Sequence, residues 1–297
     1  MKTKQIAFVI LLCGLCFVAG LFIGPVFVKA PPPGETLSAK PPTLFPAGWQ
    51  LGSVLYMQTA AEYHASCLQT YRCAAARLKE LLRSSKSDHR KSAVVLDLDE
   101  TVLDNSTFES FILQNNAVYN DSLWQRFERE HWDEVELLPG AQEFIELAER
   151  QGVTVVFISN RSETNRQFTV KALQNLGINC DKIDERLFLK KPEESSDKTP
   201  RRQAVNDQYR VLLYLGDNLR DFSETLAFPK LRTANNDSLL LAIQSRQAQV
   251  EAAHDHWGVD WFVFPNPAYG EWQKALGEGN HMLGKLHPTA MKLAHNK

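Results

Sequence analysis

Four short segments hold the residues best suited to chemistry. The first is Asp97-Leu98-Asp99-Glu100-Thr101. On an extended strand, two acids two residues apart point to opposite faces. If the chain turns there, both carboxylates line one pocket, and their mutual repulsion separates a nucleophile from a proton donor. A carboxylate nucleophile attacking phosphorus forms an acyl-phosphate. The second segment, Ser159-Asn160-Arg161, offers a hydroxyl and an amide that suit a phosphoryl oxygen. The third centres on Lys198, within Ser195 to Arg201, a cation for a phosphate or for crowded carboxylates. The fourth is Gly216 to Phe222, where a glycine precedes Asp217, Asn218 and Asp221. Mg²⁺ takes hard oxygen ligands and few protein carboxylates, and Asp97 with Asp217 would supply them. Taken singly, each segment also reads as an acidic loop, a turn, a helix cap or a surface lysine.

What gives the segments weight is where they fall. Ala93–Leu96, Val153–Ile158, Leu187–Leu189, Val211–Leu215 and Trp261–Phe264 are short apolar runs of strand type. Helical patterns over Ala141–Gln151, Glu163–Leu176 and Pro200–Gln208 separate several of them. Apolar strands alternating with amphipathic helices predict a parallel α/β sheet covered on both faces. In such sheets ligands bind beyond the carboxyl ends of the strands, and each of the four segments lies at such an end or in the loop that follows it. Upstream, Trp49–Leu82 reads as one long helix or two short ones. Asp104–Leu138 reads as a polar, aromatic-rich insertion with some helix, bearing Trp124, Phe127 and Trp132.

Composition narrows the class further. The chain has 297 residues, 44% hydrophobic and 23% charged, with a formal net charge of −2. No overall field favours nucleic acid or an anionic surface. Lys2 and Lys4 precede an apolar run from Ile6 to Val28. Its length fits a membrane span better than a signal-peptide core, with a cleaved signal as the alternative. The lysines favour a cytoplasmic N-terminus, which puts the remainder outside: periplasmic or at the outer surface. Residues 1–30 are therefore the expected anchor or signal, 31–46 a proline-rich linker, and 47–297 the globular domain, with an insertion over about 105–138. Beyond the apolar run only Cys67, Cys73 and Cys180 remain, with no CxxC pair among them, which argues against zinc; export would permit one disulfide.

The order of the segments resembles the haloacid dehalogenase superfamily. More narrowly, Asp97 to Ser106 (DLDETVLDNS), Ile158 to Arg161, Ser196-Asp197-Lys198 with Arg201-Arg202, and Gly216 to Phe222 (GDNLRDF) resemble the bacterial class C acid phosphatases. Tyr56 to Tyr63 and Phe264 to Gly270 extend the likeness to about Trp49–Trp272. The resemblance implies a Rossmannoid parallel sheet with a small helical cap and a Mg²⁺-dependent monoesterase. Asp97 would be the nucleophile and a metal ligand. Asp99 would be the acid–base, offering its backbone carbonyl to the metal, and Asp217 a further ligand. Lys198 would stabilise the transferring group, with Asn218 and Asp221 in support. Thr101, Ser159 and Asn160 would bind the phosphate, and Tyr269 would stack on a substrate ring. A slipped alignment would move the lysine role to Lys190 or Lys191. Class C members are typically lipoproteins, whereas neither Cys13 nor Cys16 follows the small residue of a lipid-attachment signal. Expected substrates are small phosphate monoesters, nucleoside monophosphates first. The other class left open is a non-enzymatic storage or binding protein on the same fold, which the presence of Asp97 argues against.

Overall fold

The computed structural model describes residues 48–84, 89–231 and 236–275. The expected anchor and the proline-rich linker lie outside these residues. Among the described residues no helix is long and apolar enough to cross a membrane.

Five parallel strands form the sheet: β1 (Ser92–Leu96), β4 (Thr154–Ser162), β5 (Leu187–Lys190), β6 (Arg210–Gly216) and β7 (Trp261–Val263), in the order β5-β4-β1-β6-β7. Their neighbouring residues enter different cores. Val94, Leu96, Val155 and Phe157 join the larger cluster, while Ala93, Val95, Val156 and Ile158 join a smaller one with Val205. This period of two, apolar on both sides, is why the strands read as unbroken hydrophobic runs.

From β1 the chain moves first toward β4 and β5, then crosses back to β6 and β7. The order therefore reverses between β1 and β6, the switch point at which open α/β sheets bind ligands in a crevice outside the strands' carboxyl ends. Asp97 and Asp217 immediately follow those two strands, and the Asp97 N–H continues the ladder by donating to the Leu215 carbonyl at 2.9 Å.

The N-terminal region forms two helices, α1 (Gly48–Thr59) and α2 (Ala61–Arg83), broken at Ala60, whose ψ of 122° is extended. Along α2, Tyr63, Cys67, Tyr71, Ala74 and Leu78 recur at helical spacing and are buried. Tyr71 reaches furthest: its ring packs on Phe144 and Phe264, and its hydroxyl donates to the Thr101 carbonyl at 2.6 Å. The insertion holds α3 (Ser106–Gln114) and α4 (Asp121–Glu130). Its ends are joined by a two-stranded antiparallel ribbon of β2 (Leu103–Asp104) and β3 (Glu136–Leu137), which pairs Leu103 with Leu137 and Asp104 with Glu136. Phe108, Trp124 and Phe127 pack their rings together inside it, with centroids 5.0–5.5 Å apart.

Among the described residues, helices α5 (Ala141–Arg150), α6 (Arg166–Asn175), α7 (Ile183–Arg186), α8 (Thr199–Gln208), α9 (Leu219–Phe222) and α10 (Asn236–Ala252) complete the set, with three short 3₁₀ turns. The three cysteines downstream of the apolar run are free thiols: Cys67 buried, Cys73 exposed and Cys180 between.

Candidate active site

Beyond β1 the chain does not continue straight. The N–H groups of Thr101, Val102 and Leu103 all turn back to the Leu98 carbonyl, and Glu100 adopts a left-handed φ of 54°. Such a φ is unusual for a residue with a side chain and marks a locally enforced turn. The turn sends the two aspartates to separate tasks. Asp97 faces the crevice beside β6. Asp99 turns toward β4, where Arg161 Nε donates to it at 2.7 Å and Ser159 Oγ at 3.3 Å.

Opposite Asp97, Lys198 sits at the start of α8 with its ammonium almost completely buried. Its Nζ donates to Asp97 Oδ1 and to Asp221 Oδ1, both at 2.6 Å. Burial disfavours its charge, but Asp221 and Asp97 outweigh that and hold it protonated. Neither Lys190 nor Lys191 makes this contact.

Asp217 completes the cluster. One carboxylate oxygen from each of Asp97, Asp217 and Asp221 lies within 4.8 Å of the others. Three carboxylates against one ammonium leave excess buried negative charge. Burial first, then Asp221 and Asp99, push Asp97 up to about 7 against the pull of Lys198. Burial, Asp221 and Asp97 raise Asp217 as well. Anions so crowded take up either protons or a cation, and an all-oxygen donor set fits a hard divalent ion.

The β6 end is built for close approach. A Cβ on Gly216 would lie 2.5 Å from Asp221 Cβ, so only glycine lets α9 fold back this tightly. Asp221 Oδ2 accepts from the Asn218 N–H, and the Asn218 side chain accepts from the Arg220 N–H, capping α9.

Of the residues expected to bind phosphate, Ser159 is fully buried. It contacts Asp99 and accepts from the Arg161 N–H. Asn160 is exposed; its Oδ1 accepts from Arg201 Nη2 at 2.6 Å. Thr101 is fully buried beneath the turn, its carbonyl held by Tyr71 and its hydroxyl without a partner among the described residues. Tyr269 is half-buried against the large core, in the loop after β7.

Several residues had no assigned role in the sequence. Asn266 Nδ2 donates to Asp217 Oδ2 at 2.8 Å, while its Oδ1 accepts from the N–H groups of Ala268 and Tyr269. It lay inside the quoted Phe264–Gly270 stretch, but its job appears only when the loop after β7 meets the loop after β6. Arg201 donates to the Ser159 carbonyl, and Arg202 to the Arg220 carbonyl at 2.7 Å. In the sequence both enter only as part of the class C likeness. Glu100 is fully buried, and burial with Asp99 and Asp217 nearby raises its pKa well above the usual carboxylate range.

Comparison with known proteins gives a consistent result. Residues 37–272 match the family model described as HAD superfamily, subfamily IIIB (Acid phosphatase). Among solved structures, the chain is similar to the class C acid phosphatase from Bacillus anthracis with tungstate bound: TM-score 0.69, 30% identity, covering 81% of this chain and 97% of that one. A second structure of the class C acid phosphatase from Bacillus anthracis gives a TM-score of 0.64 and 32% identity over 76% of this chain and 87% of that one.

Proposed function

The chain belongs to subfamily IIIB of the haloacid dehalogenase superfamily, the acid phosphatases, and from that premise we propose that it is a Mg²⁺-dependent phosphomonoesterase working through a phosphoaspartate on Asp97. One observation carries the reading. Asp97 shares a single buried lysine with Asp221 and lies against Asp217 at the point where the strand order reverses.

In the first half-reaction an Asp97 carboxylate oxygen attacks phosphorus in line. The ester P–O bond breaks as the new one forms, and the leaving alkoxide takes a proton from Asp99. Lys198 faces the attacking carboxylate and balances charge on the transferring group. In the second half, Asp99 takes a proton from water, the hydroxide attacks phosphorus, and Asp97 and inorganic phosphate are released. Asp97 and Asp217 would hold Mg²⁺, with the Asp99 carbonyl as a further donor and Asn218 and Asp221 in support. Bound there, the ion supplies charge neutralisation and orientation of the phosphoryl oxygens. Ser159, Asn160 and Thr101 belong to the phosphate-binding side of the reading.

For substrate we favour nucleoside monophosphates, on the strength of Tyr269 in the loop that also holds Asp217. The apolar run at Ile6–Val28 supports an exported, membrane-anchored or signal-cleaved protein. Cell fractionation with a detergent wash would distinguish the two, and cytoplasmic recovery would exclude both.

The purified protein should release free phosphate from p-nitrophenyl phosphate in Mg²⁺ with no added acceptor. Asp97→Asn should lose at least about a thousandfold while remaining folded. Turnover by wild type no better than by Asp97→Asn overturns the enzyme reading.

A further inference from the structure

The two oxygens of Asp99 are held very differently. Oδ1 accepts from Arg161 Nε at 2.7 Å and from Asn105 Nδ2 at 3.0 Å. Oδ2 has one long contact, from the Ser159 hydroxyl at 3.3 Å. The donors on Oδ1 are themselves fixed. Arg161 has no exposed side-chain surface, donates through Nη2 to Asn105 Oδ1 at 2.9 Å, and lies over the Trp124 ring at 5.5 Å. Asn105 is gripped on its other side, since both its backbone N–H and its amide donate to Glu100 Oε1. Glu128, fully buried on α4, faces the guanidinium and is itself held by Asn165 and the Ser162 N–H.

We propose that Arg161 and Asn105 are positioning residues that reserve Oδ1, so that Oδ2 is the oxygen that delivers a proton to the leaving group and later takes one from water. The inference rests on the phosphatase reading above and deepens it. An aspartate's terminal torsion is broad and roughly two-fold, so an unrestrained carboxylate offers either oxygen at a loosely defined place. Two donors on one oxygen remove that freedom and fix the other. Proton transfer requires hydrogen-bond reach, and small misplacements are costly in rate. The insertion thereby gains a role: Asn105, Trp124 and Glu128, all within it, surround the guanidinium that orients Asp99.

The test compares wild type, Asp99→Asn, Arg161→Lys and Asn105→Ala on phosphate monoesters running from nitrophenyl to alkyl leaving groups. A nitrophenolate departs without a proton; an alkoxide does not. The two positioning variants should lose roughly 10- to 100-fold more kcat/KM on the alkyl esters than on the nitrophenyl ester, because kcat/KM reports the steps up to leaving-group departure and excludes the hydrolysis shared by all esters. A loss of kcat/KM by the same factor on every ester overturns the proposal. If Arg161→Lys fails to fold by circular dichroism, Asn105→Ala decides, because it deletes one bond to Oδ1 and keeps the backbone bond to Glu100. Asp99→Asn separates this failure from a deeper one. A leaving-group-dependent loss in Asp99→Asn but in neither positioning variant sinks the positioning alone. A uniform loss in Asp99→Asn sinks the acid assignment and the positioning together.

Discussion

Asn266 shows how much a site depends on residues outside its first ring of ligands. Its amide holds one oxygen of Asp217 while its carbonyl oxygen is pinned by two backbone N–H groups, so Asp217 has one orientation. Partners of metal ligands typically contribute 10- to 100-fold in affinity. Asn266→Ala should therefore raise the Mg²⁺ concentration for half-maximal activity by about that factor, measured by metal titration, with little change at saturating metal. Glu109 permits a cleaner test of burial. It is 7% exposed, and desolvation pushes its pKa from 4.5 to about 7. Between those values the folded state binds more protons than the unfolded state, so this residue's contribution to stability falls as pH rises from about 4.5 to 7. Glu109→Gln should raise Tm at pH 8 and leave it nearly unchanged at pH 4, by thermal melts at both pH values. An equal gain at both would mean that ionisation is not the cause.

Among the elements, the first turn of α8 is the one on which the other loops converge. Lys198 reaches Asp97 just after β1 and Asp221 on α9, Arg201 reaches Ser159 near the end of β4, and Arg202 the carbonyls of Arg220 and Asp221. Arg202 is buried, so Arg202→Ala would strand those carbonyls. The expected cost is about 2 kcal/mol of stability, with a lower kcat because Asp221 loses its backing, checked by melts and by saturating-substrate kinetics. The sequence showed this element and its strands well. The five strands fall within a few residues of the expected runs, because burial on both faces writes an unbroken apolar signal. The break at Ala60 was one of two readings, since alanine is no obvious helix breaker. The β2–β3 ribbon was invisible, because strands of two residues carry no period. The helix Asn236–Ala252 was also missed: its apolar residues gather in Leu239–Ile243 instead of repeating along one face. In the site, Asp97 and Asp217 were legible from their places at strand ends, and Lys198 from its segment in the loop after β5. Arg161, Asn105 and Asn266 act through partners far along the chain, 62, 6 and 49 residues away, or in a turn whose shape local sequence does not specify.

For the molecule as a whole, the site stores repulsion that a bound cation would relieve. Asp97, Asp217 and Asp221 are gathered by strand order into one crevice, and Lys198 offsets one of their charges. Gly216 enforces the proximity, since any side chain there would drive Asp221 away. A ligand that binds only the folded state stabilises it by RT ln(1 + [L]/Kd). At about 100 Kd of Mg²⁺ the gain is about 2.7 kcal/mol, enough to move Tm by several degrees in a domain of this size. EDTA should therefore lower Tm and abolish turnover together, and added Mg²⁺ should restore both. Gly216→Ala should melt lower and show a much smaller Mg²⁺-induced rise, because its carboxylates no longer converge. If instead the variant keeps the full Mg²⁺ shift, the cation sits elsewhere. If wild type shows no shift although Mg²⁺ is required for turnover, the ion enters only with substrate.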